Sequence, residues 1–79
     1  MITRPIHEIA ADIRRLWKKP YFGASPYLRA MLLLEDINSR YGLDSARDII
    51  MYFLANASAF RGEEAKKLKA ELKEIAGIK

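Results

Sequence analysis

The chain has 79 residues, a net charge of +4, an apolar fraction of 51% and a charged fraction of 30%. That length holds a single domain, 1–79, with a small interior, and the composition is globular rather than disordered. There is no cysteine, which excludes disulfides and thiolate metal sites as staples for so small a core.

The longest apolar run falls well short of the roughly 20 residues a membrane span needs. At the N-terminus, Arg4, His7, Glu8 and Asp12 interrupt any apolar stretch of the kind that opens a secretory leader. A cytoplasmic protein with no membrane partner is the expectation. The charge is uneven. Residues 1–22 carry Arg4, Arg14, Arg15, Lys18 and Lys19 against Glu8 and Asp12, whereas the middle of the chain balances. Such a bias permits an acidic partner or phosphates without requiring either.

A first helix is predicted near 4–19. Thr3 can cap it, Pro5 suits a first turn, and Ile6, Ile9, Ile13, Leu16 and Trp17 recur at helical spacing. Asp12 and Arg15 lie on its outer face, Lys18 and Lys19 meet the negative end of its dipole, and Pro20 stops it. Ser25-Pro26 then reads as an N-cap followed by an N1 proline. From there Tyr27, Leu28, Met31, Leu32, Leu33, Leu34 and Ile37 carry a second helix over 26–41. Gly42 supplies its left-handed end, with Leu43 as the accompanying hydrophobic contact.

Asp44 is the expected cap of a third helix, 45–60. Its stretch Ile49–Phe60 has no charged side chain and is apolar or small on nearly every face, which predicts burial on several sides. Asn56 and Tyr52 are its odd members. A buried Asn56 needs hydrogen-bond partners, and an exposed one marks, with Tyr52, the face the bundle leaves open. Gly62 separates this helix from a fourth, 63–76, with the stripe Ala65, Leu68, Leu72 and Ile75, a Glu63–Lys67 pair and Gly77 as its stop. No strand alternation is visible. The fold class is therefore all-α, a single compact four-helix domain with the third helix central.

Catalytic chemistry finds no footing. His7 is the only histidine, and the second ligand of a helical zinc motif would fall on Ala11. Glu8/Asp12, Glu35/Asp36 and Glu63/Glu64 read as solvated faces or helix-start charges. No glycine-rich phosphate loop is present. The expectation is a non-enzyme with no catalytic residue, no metal site and no cofactor.

Binding is better supported. Arg14, Arg15, Lys18 and Lys19 stand beside Trp17, Tyr21 and Phe22, and the next helix adds Tyr27 and Arg29. Aromatics with arginines at hand are the residues that dominate protein interfaces. Too many aromatics compete for a small interior, and those left outside together would mark an interface. The simpler reading is that Tyr21 and Phe22 plug the end of the bundle, while Trp17 joins the core. The second candidate partner is nucleic acid, met at its phosphates by Arg14, Arg15, Lys18 and Lys19. A helix-turn-helix across Gly42 is disfavoured, because Ile-Ile-Met-Tyr-Phe-Leu in the would-be recognition helix cannot read base edges. The lysines of helix four, interleaved with Glu63, Glu64, Glu71 and Glu74, read as a solvated, salt-bridged face.

Over nearly its full length the chain resembles a group of small, uncharacterised helical proteins encoded by phages and mobile elements of bacteria. The stretches that carry the resemblance are Thr3–Ala10, Tyr21–Met31, Tyr52–Ala57 and Arg61–Ala65. It implies a phage or prophage accessory protein in the cytoplasm of a bacterial host, one that acts by binding a macromolecule and in some cases blocks a host factor or defence system. The group has no established activity, so no functional residue is carried over from it. From the residues themselves, the expected partner-binding surface is Arg14, Arg15, Lys18, Lys19, Tyr21, Phe22, Tyr27 and Arg29.

Overall fold

The computed structural model describes residues 4–77. Four helices, α1 (Ile6–Leu16), α2 (Ser25–Met31), α3 (Ala46–Ala55) and α4 (Glu63–Ala76), account for most of the described chain. A two-stranded antiparallel hairpin, β1 (Arg40–Tyr41) and β2 (Asp44–Ser45), lies between α2 and α3. The protein is thus mostly helical but not strictly all-α. None of these helices is long and apolar enough to cross a membrane. The capping role expected of Thr3 lies outside the described residues.

The principal helix contacts run α1–α2, α2–α3, α3–α4 and α4–α1. This ring does not single out α3 as the central helix. One hydrophobic cluster draws on all four: Ile6, Ile9 and Ile13 from α1, Leu28 and Met31 from α2, Ile49, Ile50 and Phe53 from α3, and Ala65, Leu68 and Leu72 from α4. Phe53 is the largest fully buried side chain. The predicted stripes of α1 and α4 are therefore the observed inner faces, except that Leu16 is exposed and Trp17 and Ile75 are only half-buried.

Helix α1 is shorter than its periodicity predicts, because Trp17 leaves the helix. Its φ/ψ of −104°/83° ends the regular turns. Its indole then stacks on Phe60 (centroids 5.2 Å apart, planes at 17°) and meets Phe53 edge-on at 6.2 Å. An aromatic cluster of this kind outweighs one further helical turn. Lys18 and Lys19 consequently sit in the bend beyond the helix, and Pro20, with no N–H to offer Leu16 O, bars its continuation. On its other side Phe60 carries the Lys69 ammonium, 5.8 Å from the ring centroid. Burial there, then the like charges of Lys73 and Arg61, hold the Lys69 amine below its ordinary range.

The largest departure from the sequence reading is in 32–45, of which 32–41 is predicted as the second half of a long helix and Gly42–Asp44 as its end and the next cap. Helix α2 ends at Met31 with two tight turns, Leu33 N–H to Ala30 O and Leu34 N–H to Met31 O. The carbonyls of Leu34 and Glu35 then accept from His7 N–H (2.9 Å) and Ile6 N–H (2.8 Å). These are the orphan donors of α1, which has no side-chain cap. Polar side chains hold the turn: Ser39 Oγ accepts from the backbone of Glu35 and Asp36, and Asp36 Oδ1 from that of Asn38. Gly42 has the expected positive φ, 63°, but it opens the two-residue loop of the hairpin instead of closing a helix. Leu43 makes no hydrophobic contact at a helix end; at 95% exposure it is the hairpin tip.

Ser45, not Asp44, caps α3, its Oγ accepting from Asp48 N–H at 3.2 Å. The helix ends at Ala55, before the predicted residue 60. There the Asn56 side-chain amide donates to Tyr52 O at 2.9 Å, taking a carbonyl that a continuing helix would use. Helix α4 matches its predicted bounds, with Gly77 left-handed at φ 71°. The expected Glu63–Lys67 pair is not among the ion pairs of the described residues, and the face is less salt-bridged than predicted.

One ion network does cross the fold. Arg4 grips Glu71 of α4 with two hydrogen bonds (3.0 and 2.8 Å) and Asp12 of α1 with a third (2.7 Å). Arg15, the partner predicted for Asp12, is farther away at 3.7 Å. The hydrogen bond from Arg4 lowers the Asp12 carboxyl below its usual value of 3.8. With the folded value the lower one, the pairing favours the folded state above pH 3.8 and fades as pH falls through the folded-state value. The three side chains are about a third exposed, so solvent screening limits the network to about 1 kcal/mol. Arg4→Ala is expected to lose about that much at neutral pH and progressively less as acid protonates Asp12 below pH 3.8. Urea unfolding across a series of falling pH values measures the difference.

Candidate partner-binding surface

The surface is built where α1 hands over to α2. After Trp17 turns inward, the chain bends through Lys18 and Lys19 and tightens into a turn in which Tyr21 O accepts from Ala24 N–H (2.8 Å) and Ser25 N–H (3.1 Å). That carbonyl starts α2. Ser25 is already inside the helix and makes no capping bond, contrary to its predicted role. The bend and the short α2 sort the predicted residues into two distinct groups.

The first group is a groove of about 400 Å³ between the end of α1 and α2. Arg14, Lys18 and Arg29 line it together with Trp17, Pro20, Ser25, Leu28 and Leu32. No carboxylate lines it, and among the described residues none of its three cations has an ion-pair partner. An apolar floor with unneutralised cations raises the local positive potential, because low-dielectric walls focus the field.

The second group is an aromatic edge. Tyr21 and Phe22 pack on each other at 4.7 Å, and Phe22 is 80% exposed. Tyr27 of α2 packs on Tyr52 of α3 at 5.3 Å. Gly23 and Asn56 lie between the pairs. A Cβ on Gly23 would come within 2.6 Å of Tyr21 Cε2 and 2.9 Å of Asn56 Oδ1, so the glycine lets ring and amide close over the backbone. Tyr21 and Asn56 also line a shallow depression with Ala55, Ser58 and Ala59. Asn56 is half-buried and Tyr52 is exposed. Asn56 thus falls between the two alternatives its sequence context allowed: it is only half-buried, and its amide is satisfied by Tyr52 O.

The predicted residues are therefore not one patch. Arg14, Lys18 and Arg29 share the groove, and Tyr21, Phe22 and Tyr27 belong to the edge. Lys19 is exposed without lining the groove. Arg15 points toward Asp12 on another face of α1. Tyr21 and Phe22 do not plug the bundle end, since both are exposed. Sequence reasoning missed the groove floor of Pro20, Leu28 and Leu32, because which side of α2 faces α1 is set by tertiary packing. It also missed further exposed apolar residues, Leu33, Ile37 and Tyr41 on the segment read as helix and Leu43 just beyond it.

Among the described residues no group of three or more His, Asp or Glu side chains is placed to hold a metal ion. No protein-family model, curated protein or solved structure matches this chain.

Proposed function

We propose that the chain is a small, non-enzymatic accessory protein of phage type that acts by binding another protein, as an inhibitor of a host factor would. The observation that carries the reading is the aromatic edge. A soluble chain gains nothing in stability from leaving Phe22 80% exposed against Tyr21, whereas amphipathic aromatics at a surface are what protein interfaces select. The exposed position of the lone histidine at the start of α1 supports the non-enzymatic part, and the phage-type setting rests on the resemblance alone. Capture of a partner from a bacterial host lysate by the native chain, and its loss with Tyr21→Ala plus Phe22→Ala, tests the reading. Capture that ignores the double substitution counts against this edge.

A second reading, nucleic-acid binding, is favoured by the three unpaired cations of the groove. It requires affinity that falls steeply with salt. A gel shift with no retarded species at low salt eliminates it.

A further inference from the structure

Charge and shape together say what the α1–α2 groove accepts. Its rim is Arg14 and Lys18 on one side and Arg29 on the other, and its floor is Trp17, Pro20, Leu28 and Leu32. The three cations are free of carboxylates among the described residues. An occupant that is only anionic would leave the apolar floor wet, and one that is only apolar would desolvate three charges without compensation. At about 400 Å³ the groove is near the small end of binding clefts and takes a side chain or two, not a whole helix.

We infer that this groove binds a short acidic segment of a partner protein, seating one apolar side chain on the Trp17–Leu28 floor with carboxylates on either side at Arg14, Lys18 and Arg29. The inference rests on the protein-binding reading above and names the partner's chemistry. A phosphate backbone would satisfy the cations, but the floor suits an apolar side chain better than a base to be stacked, since Trp17 is already engaged with Phe60 and Phe53 and the rest of the floor is Pro20, Leu28 and Leu32. Recognition by charge alone would not distinguish these cations from the lysines of α4.

Trp17 is the only tryptophan and lines the groove, so its emission reports occupancy in the full-length chain. The probe is a synthetic peptide of about three helical turns' worth of residues, rich in glutamate around a central leucine. Three further probes are the same peptide with serine for leucine, the same with lysine for glutamate, and an oligothymidylate. The acidic leucine peptide is expected to shift Trp17 emission saturably, the serine peptide to bind about tenfold more weakly and the lysine peptide not at all. Arg14→Gln with Arg29→Gln is expected to weaken binding by about a hundredfold. Lys66→Gln with Lys67→Gln, which removes the same charge from α4, is expected to leave it unchanged. Equal losses in the two double variants, indifference to the central leucine, no binding of the acidic peptide, or tighter binding of the oligothymidylate would each overturn the inference. Concentration-dependent self-association that Arg14→Gln with Arg29→Gln abolishes would assign the groove to a second copy and overturn it too. Should the groove fail any of these while lysate capture still depends on Tyr21 and Phe22, only the acidic-segment inference falls and the protein-binding reading stands.

Discussion

Phe53→Ala is expected to destabilise the protein by about 3–5 kcal/mol, the range for removing a fully buried phenylalanine. Phe53 is completely excluded from solvent and also meets the Trp17 indole edge-on at 6.2 Å. Its loss opens a cavity and removes an aromatic pair worth about 1 kcal/mol beyond area burial. A domain of this length has a total stability of only about 4–12 kcal/mol, so the variant is expected to be largely unfolded at body temperature or to melt far below the native chain. Urea denaturation followed by Trp17 fluorescence and by far-ultraviolet circular dichroism measures the change. A loss under about 1 kcal/mol would mean that the Phe53 site is not a packed core.

Tyr21→Ala with Phe22→Ala has the opposite signature, a large effect on binding and a small one on folding. Phe22 is 80% exposed and Tyr21 47% exposed; the rings pack on each other, and Tyr21 also lies over Gly23. Surface substitutions of this kind change stability by about 0.5 kcal/mol or less. Aromatic hot spots contribute about 2 kcal/mol or more each to an interface, so the pair is expected to cost about a hundredfold or more in partner affinity. Affinity measured by titration against the captured partner, beside a thermal melt of each variant, separates the two effects. A variant that melts normally and binds normally would remove the aromatic edge from the interface. One that loses both would mean the ring pair supports the fold after all.

How much of this could be read beforehand depends on whether the determining interaction is local. Helix α4 was legible to the residue, because its stripe, acidic start and Gly77 stop are all local signals. The inner face of α1 was legible up to Ile13; Leu16 is exposed, and the departure of Trp17 is decided by Phe53 and Phe60, both more than 30 residues away in sequence. The second helix was overextended because Met31–Leu34 and Ile37 fit helical spacing. What overrides that pattern is a tertiary exchange, in which Leu34 and Glu35 carbonyls cap α1. The local sign was present in Asp36, Asn38 and Ser39, three residues that favour turns by bonding nearby backbone. Gly42 was rightly given a positive φ and wrongly given a helix to end, since glycine's conformation does not say which element needs it. At the candidate site, the sequence presents 14–29 as one continuous patch. The rotation of α2 between α1 and α3 divides it into groove and edge, and that rotation follows from packing alone.

Mapping the partner's footprint on the chain by backbone amide chemical-shift perturbation in solution is the most direct test of the claim that this handover is the binding surface. The expected result is perturbation concentrated on Arg14, Trp17–Phe22, Tyr27, Arg29, Tyr52 and Asn56, with the outer face of α4 unchanged. A footprint centred on Lys66, Lys67 and Lys73, or on the Leu33–Leu43 segment, with residues 14–29 silent, would contradict it.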